Sequence, residues 1–484
     1  MAGSRPKLWL AAAACMALAA ALRFPGLMAQ SLWIDEIYSV DMTGWPLAWV
    51  LSVQDGHPPL FALVHKLVAV WIDPEVAGRA IAAAAGVLAV GALVGFATEI
   101  WGPRVGTVAG VLLAVSPLHV WYSQEGRSYA LLVLIAILAS HALVVGARRG
   151  GWRVWAAFGV LSLCGLFTHY LYAGVLLAQV IFLAWVGGQS GLLFAIALVM
   201  LVGAASVPVL GREATSFVGE QRGFEWLALP YAGFTYVGGF GLGPSVEALH
   251  RDRSMAVVAR EWPTIAAVAM LAVGCVLALP HALRGAGPFR SYVVLWAVAP
   301  PLLVFAGSWL RDGAFNVRYA ITALPGIVLC LALVLTAGST RRLALGLCAF
   351  VALSALSIQR ERSDPRYFRE DYRRAGAYLA AHAVEGDRVV VAAHYAIQGI
   401  AHYYRGPAPV EPLPVRPVHS VEDAAANLRA LDTTAGGRGV WIVLAREWDD
   451  DPVGHLEAAL GARGVPPATR FPGVRIFRLA PSRS

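Results

Sequence analysis

The chain is dominated by long apolar runs that are separated by short polar gaps. A helix needs about 20 apolar residues to cross a bilayer, and most of the runs approach that length. The runs lie at approximately 8–24, 57–71, 77–98, 105–120, 128–147, 153–170, 172–187, 191–210, 259–281, 290–310, 319–337 and 342–358. Long continuous runs favour helices over a barrel, whose strands are short and alternate polar with apolar residues. The pattern therefore predicts a polytopic helical membrane protein.

The basic gaps between the runs predict the orientation, because cytoplasmic loops are rich in Lys and Arg. The clearest basic gaps are 148–153, 281–290 and 341–342, and Arg104 and the pair Arg5 and Lys7 are weaker members of the set. They all fall on one side only if run 57–71 does not span, and this run carries His65 and Lys66 in its middle. We therefore expect about 11 transmembrane helices in the cytoplasmic (inner) membrane. The N-terminus is expected in the cytoplasm and 57–71 as a half-inserted helix on the outer face.

Charge divides the chain into two domains. Only 14% of all residues are charged, against about 25% in soluble domains, yet 32 of the 68 charged residues lie in 359–484. We expect a transmembrane domain at 1–358, with outer loops at 25–76 and 211–258, and a small extracytoplasmic α/β domain at 359–484. Its predicted helices are 366–383 and 420–431, and its predicted strands are 389–391, 440–444 and 473–479.

Several simple functions are excluded or not indicated. The 58% hydrophobic content excludes a soluble enzyme, and the net charge of +8 forms no dense basic stripe of the kind that binds nucleic acid. All five cysteines lie in apolar runs without a C-x-x-C motif, which indicates packing residues. The glycine-rich stretch 238–243 lacks the flanking strand and helix of a phosphate-binding loop, and we interpret it as a flexible loop.

The strongest chemical signal is Asp35 with Glu36, which follow Trp33 just after the first run. Carboxylates beside a membrane are expensive to place and are usually functional, and closely spaced carboxylates suit general-base chemistry. The simpler alternative is a solvated loop turn.

Weaker signals occur on four other segments of the same predicted face. They are His57 and Lys66 around H-P-P-L, Glu125, Arg127 and Tyr129 in the next outer loop, His169 with Tyr170, and Arg318 with Tyr319. Taken singly, each is explained as well by helix capping, snorkelling or interfacial anchoring. Their convergence on one face predicts a site, in which arginine suits phosphate binding.

These motifs together resemble a known family. The chain is similar to GT-C glycosyltransferases of the group that includes protein O-mannosyltransferases and the lipid A aminoarabinose transferase (glycosyltransferase family 39-like). The matching motifs are W-I-D-E at 33–36, H-P-P-L at 57–60, Q-E-G-R-S-Y at 124–129, T-H-Y at 168–170 and V-R-Y at 317–319 with A-L-P at 323–325. No W-W-D motif of oligosaccharyltransferases is present.

The resemblance implies transfer of a sugar from a polyprenyl-phosphate donor to a glycan, lipid or protein acceptor on the outer face of the membrane. It implies Asp35 as the general base with Glu36 beside it, and Arg127 and Arg318 as ligands of the lipid phosphate. No cofactor is certain, although a divalent metal (Mg or Mn) between Asp35 and Glu125 is compatible with this chemistry.

Two other classes of function remain open. A transporter or lipid-linked-sugar flippase places ionisable residues near the bilayer midplane, whereas the charges here lie at the predicted outer ends of the spans. A non-enzymatic assembly or receptor protein would carry its activity in 359–484.

Overall fold

The computed structural model describes residues 5–52, 58–186, 226–252, 254–284, 289–310, 315–414, 417–434 and 439–479. The α-helices of the N-terminal half are α1 Arg5–Arg23, α2 Ile34–Gly44, α3 Leu47–Leu51, α4 Leu60–Val68, α5 Pro74–Trp101, α6 Pro103–Val115, α7 Pro117–Ser123, α8 Tyr129–Arg149, α9 Trp152–Thr168 and α10 Ala173–Val186. Those that follow are α11 Ala228–Gly238, α12 Val246–Arg251, α13 Met255–Arg260, α14 Trp262–Leu283, α15 Phe289–Leu310, α16 Leu324–Ala337, α17 Thr340–Ser363, α18 Tyr372–His382, α19 Ala396–Tyr403, α20 Val421–Thr434 and α21 His455–Ala462. The strands are β1 Arg388–Val391, β2 Val410–Pro412, β3 Val440–Ala445, β4 Pro467–Phe471 and β5 Val474–Leu479.

The chain is a multi-pass membrane protein. Six described helices are long and apolar enough to cross a bilayer, and α6 with α7 makes a seventh that is bent by 60°. The six are Pro74–Trp101, Tyr129–Arg149, Trp262–Leu283, Phe289–Leu310, Val317–Ala337 and Thr340–Ser363. Shorter apolar helices at Trp9–Arg23, Trp152–Thr168 and Tyr170–Val186 coincide with three more predicted runs. The predicted run 191–210 lies outside the described residues, so the count of eleven spans stays a prediction.

Two segments that the sequence analysis set apart have definite structures. The described part of run 57–71, which we predicted not to span, contains the nine-residue helix α4. This helix is about 14 Å long and too short for a hydrocarbon core of about 30 Å. The glycine-rich stretch after α11 is a packed turn rather than the flexible loop we predicted. A Cβ at Gly241 would collide with the backbone of Ser357, and the Phe240 ring packs 5.4 Å from that of Trp121.

A buried arginine explains how the chain accommodates the break between α6 and α7. Pro117 has no N–H, so the carbonyl of Leu113 loses its helical donor there, and the bend removes the partner of Ala114 as well. Arg23 replaces both donors, at 3.2 Å from the Leu113 oxygen and 2.9 Å from the Ala114 oxygen. On the other side of the break, Arg23 also contacts His119 Nδ1 at 2.9 Å and donates to Ser123 Oγ at 3.2 Å. The end of α1 is therefore bonded to the broken helix.

The chain forms two compact units. The first comprises Met1–Leu27, Asp41–Leu242 and Pro263–Ile358, and the second comprises Met28–Val40, Gly243–Trp262 and Gln359–Ser484. The second unit thus contains the predicted C-terminal domain together with two segments that the sequence analysis assigned to the membrane domain. One of these segments carries Asp35 and Glu36.

The second unit contains a five-stranded mixed sheet in the order β2-β1-β3-β5-β4. Strands β2, β1 and β3 are parallel, whereas β5 and β4 are antiparallel to their neighbours. Helices α18 and α19 pack on one face, around Val389 and Val391, and α20 with α21 packs on the other, around Val390. From β1 the chain continues to β2 on one side and then crosses back to β3 on the other side of β1. The direction in which strands are added to the sheet therefore reverses at the carboxyl ends of β1 and β3. Open α/β sheets place functional residues at such a point.

The fold class predicted from the sequence is confirmed: a helical membrane body with a small C-terminal α/β region. The predicted strands 389–391, 440–444 and 473–479 correspond to β1, β3 and β5. The sequence analysis missed the elements at Ala396–Tyr403, Val410–Pro412, His455–Ala462 and Pro467–Phe471. Both missed strands are short edge strands without a fully buried face, which is why their pattern is weak.

Candidate functional site

Asp35 and Glu36 lie in the first turn of α2. Trp33 immediately precedes the helix, and its N–H donates to Glu36 Oε2 at 3.3 Å. This is the side-chain half of a capping box, in which a glutamate at the third helical position binds back to the start of the helix. The N-terminal end of a helix favours negative charge, and both carboxylates lie there. Asp35 is half-buried, whereas Glu36 is only 1% exposed.

The buried carboxylate of Glu36 has a second partner in the same unit. Arg369 Nη1 donates to Glu36 Oε2 at 3.0 Å, and the Arg369 side chain is 11% exposed. The Arg369 guanidinium also lies 5.8 Å from the centre of the Trp33 ring, and that of Arg446 lies 5.9 Å from the same ring. Both distances fall within the range of favourable cation–π contacts. The W-I-D-E motif is therefore attached to residues that follow α17.

Arg446 is a residue that the sequence analysis missed. It directly follows β3, at the reversal point of the sheet, and it is the only described non-glycine residue with a positive φ, at 51°. Its guanidinium donates to Glu370 Oε1 at 2.9 Å, and its carbonyl accepts from the Tyr395 hydroxyl at 2.6 Å. Burial favours a lower pKa for Arg446, but Glu370 and the neighbouring tyrosines outweigh it, so its pKa is raised. Arg446 therefore stays charged beside Trp33.

In the first unit, four of the predicted residues come together, and the guanidinium of one of them, Arg318, lies near the rings of two others. Arg318 Cζ lies 6.0 Å from the ring centre of Tyr129 and 5.3 Å from that of Tyr319. The His169 ring lies 5.8 Å from Tyr129 and 6.1 Å from Tyr319. We call Tyr129, His169, Arg318 and Tyr319 the Arg318 cluster. Three separate segments supply it, as the predicted convergence requires.

The backbone of the Arg318 cluster is held in place by buried polar contacts. Arg318 lies in a 3-10 helix, Val317–Ala323, whose first turn is capped by Asn316 Oδ1 at 3.1 Å from the Arg318 N–H. The Tyr236 hydroxyl donates to the Ala320 carbonyl at 2.7 Å, and the Trp296 indole donates to the Thr322 carbonyl at 2.7 Å. The two tyrosine rings orient the guanidinium, and a planar oriented guanidinium suits recognition of a phosphate.

Glu125 and Arg127, of the motif at 124–129, form a tight buried turn. Glu125 is 1% exposed and Arg127 is 7% exposed, and the Arg127 N–H donates to the Glu125 carbonyl at 2.7 Å. A Cβ at Gly78 of α5 would lie 3.4 Å from Gly126 Cα, so α5 packs closely on the turn. Tyr170 begins the 3-10 helix Tyr170–Tyr172 and is half-buried. Burial of two ionisable side chains costs free energy, so Glu125 and Arg127 remain candidate functional residues.

Among the described residues, Lys66 is not a member of the Arg318 cluster and instead contacts the end of α2. Lys66 Nζ donates to the carbonyl oxygens of Thr43, at 2.5 Å, and Trp45, at 2.8 Å. It thus caps the carboxyl end of α2, the capping role that the sequence analysis kept as an alternative. His57 lies outside the described residues.

The possible metal role of Asp35 and Glu125 stays a prediction. The two residues belong to different compact units. Within the described ranges, no group of three or more His, Cys, Asp and Glu side chains is arranged to hold a metal ion.

The sequence matches one family model over part of its length. Residues 56–210 match the family described as dolichyl-phosphate-mannose-protein mannosyltransferase. The matched region contains Glu125, Arg127, Tyr129, His169 and Tyr170. No curated protein matches the chain in sequence.

Solved structures with the same fold extend over nearly the whole chain. The apo crystal structure of ArnT from Cupriavidus metallidurans is 12% identical, with a TM-score of 0.58 and 98% of each chain covered. The same protein bound to undecaprenyl phosphate is 11% identical, with a TM-score of 0.54 and the same coverage. The archaeal oligosaccharyltransferase AglB from Archaeoglobus fulgidus, in complex with an inhibitory peptide and a dolichol-phosphate, is 11% identical. Its TM-score is 0.56, with 92% of this chain and 70% of AglB covered. At these identities the likeness establishes the fold, and this chain has the GT-C fold that the W-I-D-E and H-P-P-L motifs predicted.

Proposed function

We propose that the chain is a membrane glycosyltransferase that moves a monosaccharide from a polyprenyl-phosphate donor to an acceptor on the outer face of the cytoplasmic membrane. The observation that carries the proposal is the Arg318 cluster. A half-buried guanidinium, oriented by Tyr129 and Tyr319 and accompanied by His169, suits a phosphate that must be held at the membrane surface.

The comparisons support this choice of substrate class. The family matched by residues 56–210 is named for a dolichyl-phosphate-linked sugar. Two of the structures that share the fold contain a polyprenyl phosphate, undecaprenyl phosphate in ArnT and dolichol-phosphate in AglB. A bundle of spanning helices also provides the apolar surroundings that a prenyl chain requires.

The proposed reaction needs one base and one anion-binding group. The acceptor hydroxyl attacks the anomeric carbon of the donor, a C–O bond to the acceptor forms, and the bond to the phosphate oxygen breaks with inversion. Asp35 takes the proton of the hydroxyl, and it lies in the first turn of α2, where the end of the helix favours negative charge. The polyprenyl phosphate leaves with its electron pair, and the positive charge of Arg318, with Arg127 as a second candidate, stabilises it.

The test is turnover of a panel of polyprenyl-phosphate monosaccharides by the full chain in native membranes, which supply the acceptor. Release of free polyprenyl phosphate and labelling of an acceptor are measured together. We expect one donor to be consumed, and we expect Asp35→Asn to abolish consumption. The matched control is Asp41→Asn, the same change at an exposed position of the same helix, which retains activity. Full activity of Asp35→Asn would overturn the role of this residue.

Two further arms address the open alternatives. Adding EDTA during turnover, and then restoring an excess of Mg²⁺ or Mn²⁺, determines whether a divalent metal is required. A liposome flux assay tests the transporter or flippase alternative. Movement of a lipid-linked sugar across the bilayer, without any transfer to an acceptor, would replace the glycosyltransferase proposal.

A further inference from the structure

The start of α2 is fixed by bonds to residues that lie more than 300 positions later in the same unit. Glu36 Oε2 accepts from both the Trp33 N–H, at 3.3 Å, and Arg369 Nη1, at 3.0 Å. The Leu32 N–H donates to the Tyr403 hydroxyl at 3.2 Å. Leu32 and Trp33 before Asp35 and Glu36 after it are thus hydrogen-bonded, and Asp35 itself is half-buried.

Glu36 is poorly suited to act as a base in its own right. The oxygen that faces Trp33 already accepts two hydrogen bonds, one of them from a guanidinium, and the side chain is 1% exposed. An ion-paired carboxylate resists protonation because its anionic form is stabilised. A buried position also keeps it from the hydroxyl of an incoming acceptor.

The same bonds suit Glu36 to a different task. Arg369 links Glu36 to the ring of Trp33 through its ion pair at 3.0 Å and its ring contact at 5.8 Å. Together they define the first turn of α2, and that turn carries Asp35. Catalytic groups lose rate steeply when their position shifts by as little as about 1 Å.

We infer that Glu36 and Arg369 are positioning residues that hold Asp35 in its working orientation, so that the second unit supplies the base together with the residues that position it. This inference rests on the proposed function, in which Asp35 is the base. It assigns the pair a role in the catalytic step and none in donor binding.

The experiment compares Glu36→Gln, Arg369→Gln, the double variant and Arg369→Lys in the full chain. We expect kcat to fall by about tenfold to hundredfold in each Gln variant, with the donor KM unchanged. The double variant is expected to be no slower than the slower single variant, because both changes break one link. Arg369→Lys keeps the charge and recovers part of the rate.

The matched control is Arg374→Gln, which breaks the exposed ion pair with Asp371 in the same unit and retains wild-type kcat. Wild-type kcat in Glu36→Gln and Arg369→Gln would overturn the inference. So would a change in the pH–rate profile of Glu36→Gln that Arg369→Gln does not share, because Glu36 would then act as a base itself. If Glu36→Gln does not insert, the two Arg369 variants carry the test.

A second readout does not depend on activity. Hydrogen exchange of the amides at 32–37 is expected to accelerate in Glu36→Gln and Arg369→Gln and to stay unchanged in Arg374→Gln. Unchanged exchange in the first two variants overturns the inference even if their rates fall. If the wild-type chain consumes no polyprenyl-phosphate sugar, the proposed function fails, while the exchange data still decide whether Arg369 holds this turn.

Discussion

The Arg446 guanidinium donates to the Glu370 carboxylate at 2.9 Å from a backbone that is in the left-handed region. A left-handed conformation costs a residue with a Cβ about 1–2 kcal/mol, so the ion pair and the ring contacts with Trp33 and Trp448 offset a real strain. Strained residues that are retained often lie at functional positions. Here the left-handed residue places its charged side chain beside Trp33, in the motif that carries Asp35.

Arg446→Gly and Arg446→Ala separate the backbone strain from the side-chain contacts. Both variants lose the ion pair with Glu370, but glycine adopts the left-handed conformation without the steric cost. We expect Arg446→Gly to be more stable than Arg446→Ala by about 1 kcal/mol. The midpoint of thermal unfolding, followed by circular dichroism of the purified chain, measures the difference. The reverse order would show that residue 446 leaves the left-handed region when the guanidinium is removed.

Tyr372 lies in the same neighbourhood with its hydroxyl buried and, among the described residues, without a hydrogen-bond partner. Burial, followed by the negative charge of Glu370, raises the pKa of Tyr372 well above its usual value. The folded chain therefore favours the neutral phenol. The stability tied to this preference is complete below the pKa of an unfolded tyrosine, about 10, and declines as the pH rises above that value.

Tyr372→Phe removes this unsatisfied hydroxyl, so we expect it to stabilise the chain by about 1 kcal/mol at neutral pH. We also expect the free energy of unfolding of Tyr372→Phe to fall less between about pH 9 and pH 11 than that of the wild type. Tyr395→Phe is the matched control, because its hydroxyl donates to the Arg446 carbonyl at 2.6 Å and its removal destabilises. Unfolding curves across pH test both. Destabilisation by Tyr372→Phe would show that a bound water or ligand satisfies the hydroxyl.

The helical body was predictable because its signal is local. An apolar run near 20 residues long is sufficient to indicate a spanning helix, and the described helices that are apolar enough to span coincide with predicted runs. The Arg318 cluster was predictable for a related reason: its members end or begin predicted spans, and spans ending on one face bring their end residues together.

The attachment of the first outer loop was not predictable in the same way. The pairing of Glu36 with Arg369 joins positions 333 residues apart, and neither periodicity nor charge pattern specifies such a partner. Arg446 gave no signal because an isolated arginine after a strand resembles any solvated residue. The left-handed backbone and the reversal of strand order that distinguish it are properties of the folded sheet.

Arg318 is expected to bind the donor phosphate, and substitutions at this position are expected to weaken that binding to different degrees. Arg318→Ala loses a charge-assisted contact worth about 1.5–3 kcal/mol, so the Kd for undecaprenyl phosphate rises by at least about tenfold. Arg318→Lys keeps the charge but loses the planar group that lies over Tyr129 and Tyr319, and it recovers only part of the affinity. Arg290→Ala, at an exposed position in the first unit, is the control. Equal affinities in a titration of the purified variants would remove Arg318 from the donor site.

The contact between Arg23 and the break at Pro117 makes a prediction about two residues together. Arg23→Met leaves the carbonyls of Leu113 and Ala114 without the donors that now lie at 3.2 and 2.9 Å. Each unsatisfied buried carbonyl costs about 1–3 kcal/mol, so Arg23→Met lowers the stability of the detergent-solubilised chain. Pro117→Ala restores the N–H that a continuous helix would direct at the Leu113 oxygen. Pro117→Ala is therefore expected to raise stability in the Arg23→Met background and to have little or no such benefit in the wild type. Equal effects of Pro117→Ala in the two backgrounds, measured by thermal unfolding, would show that Arg23 does not serve as the donor for the broken helix.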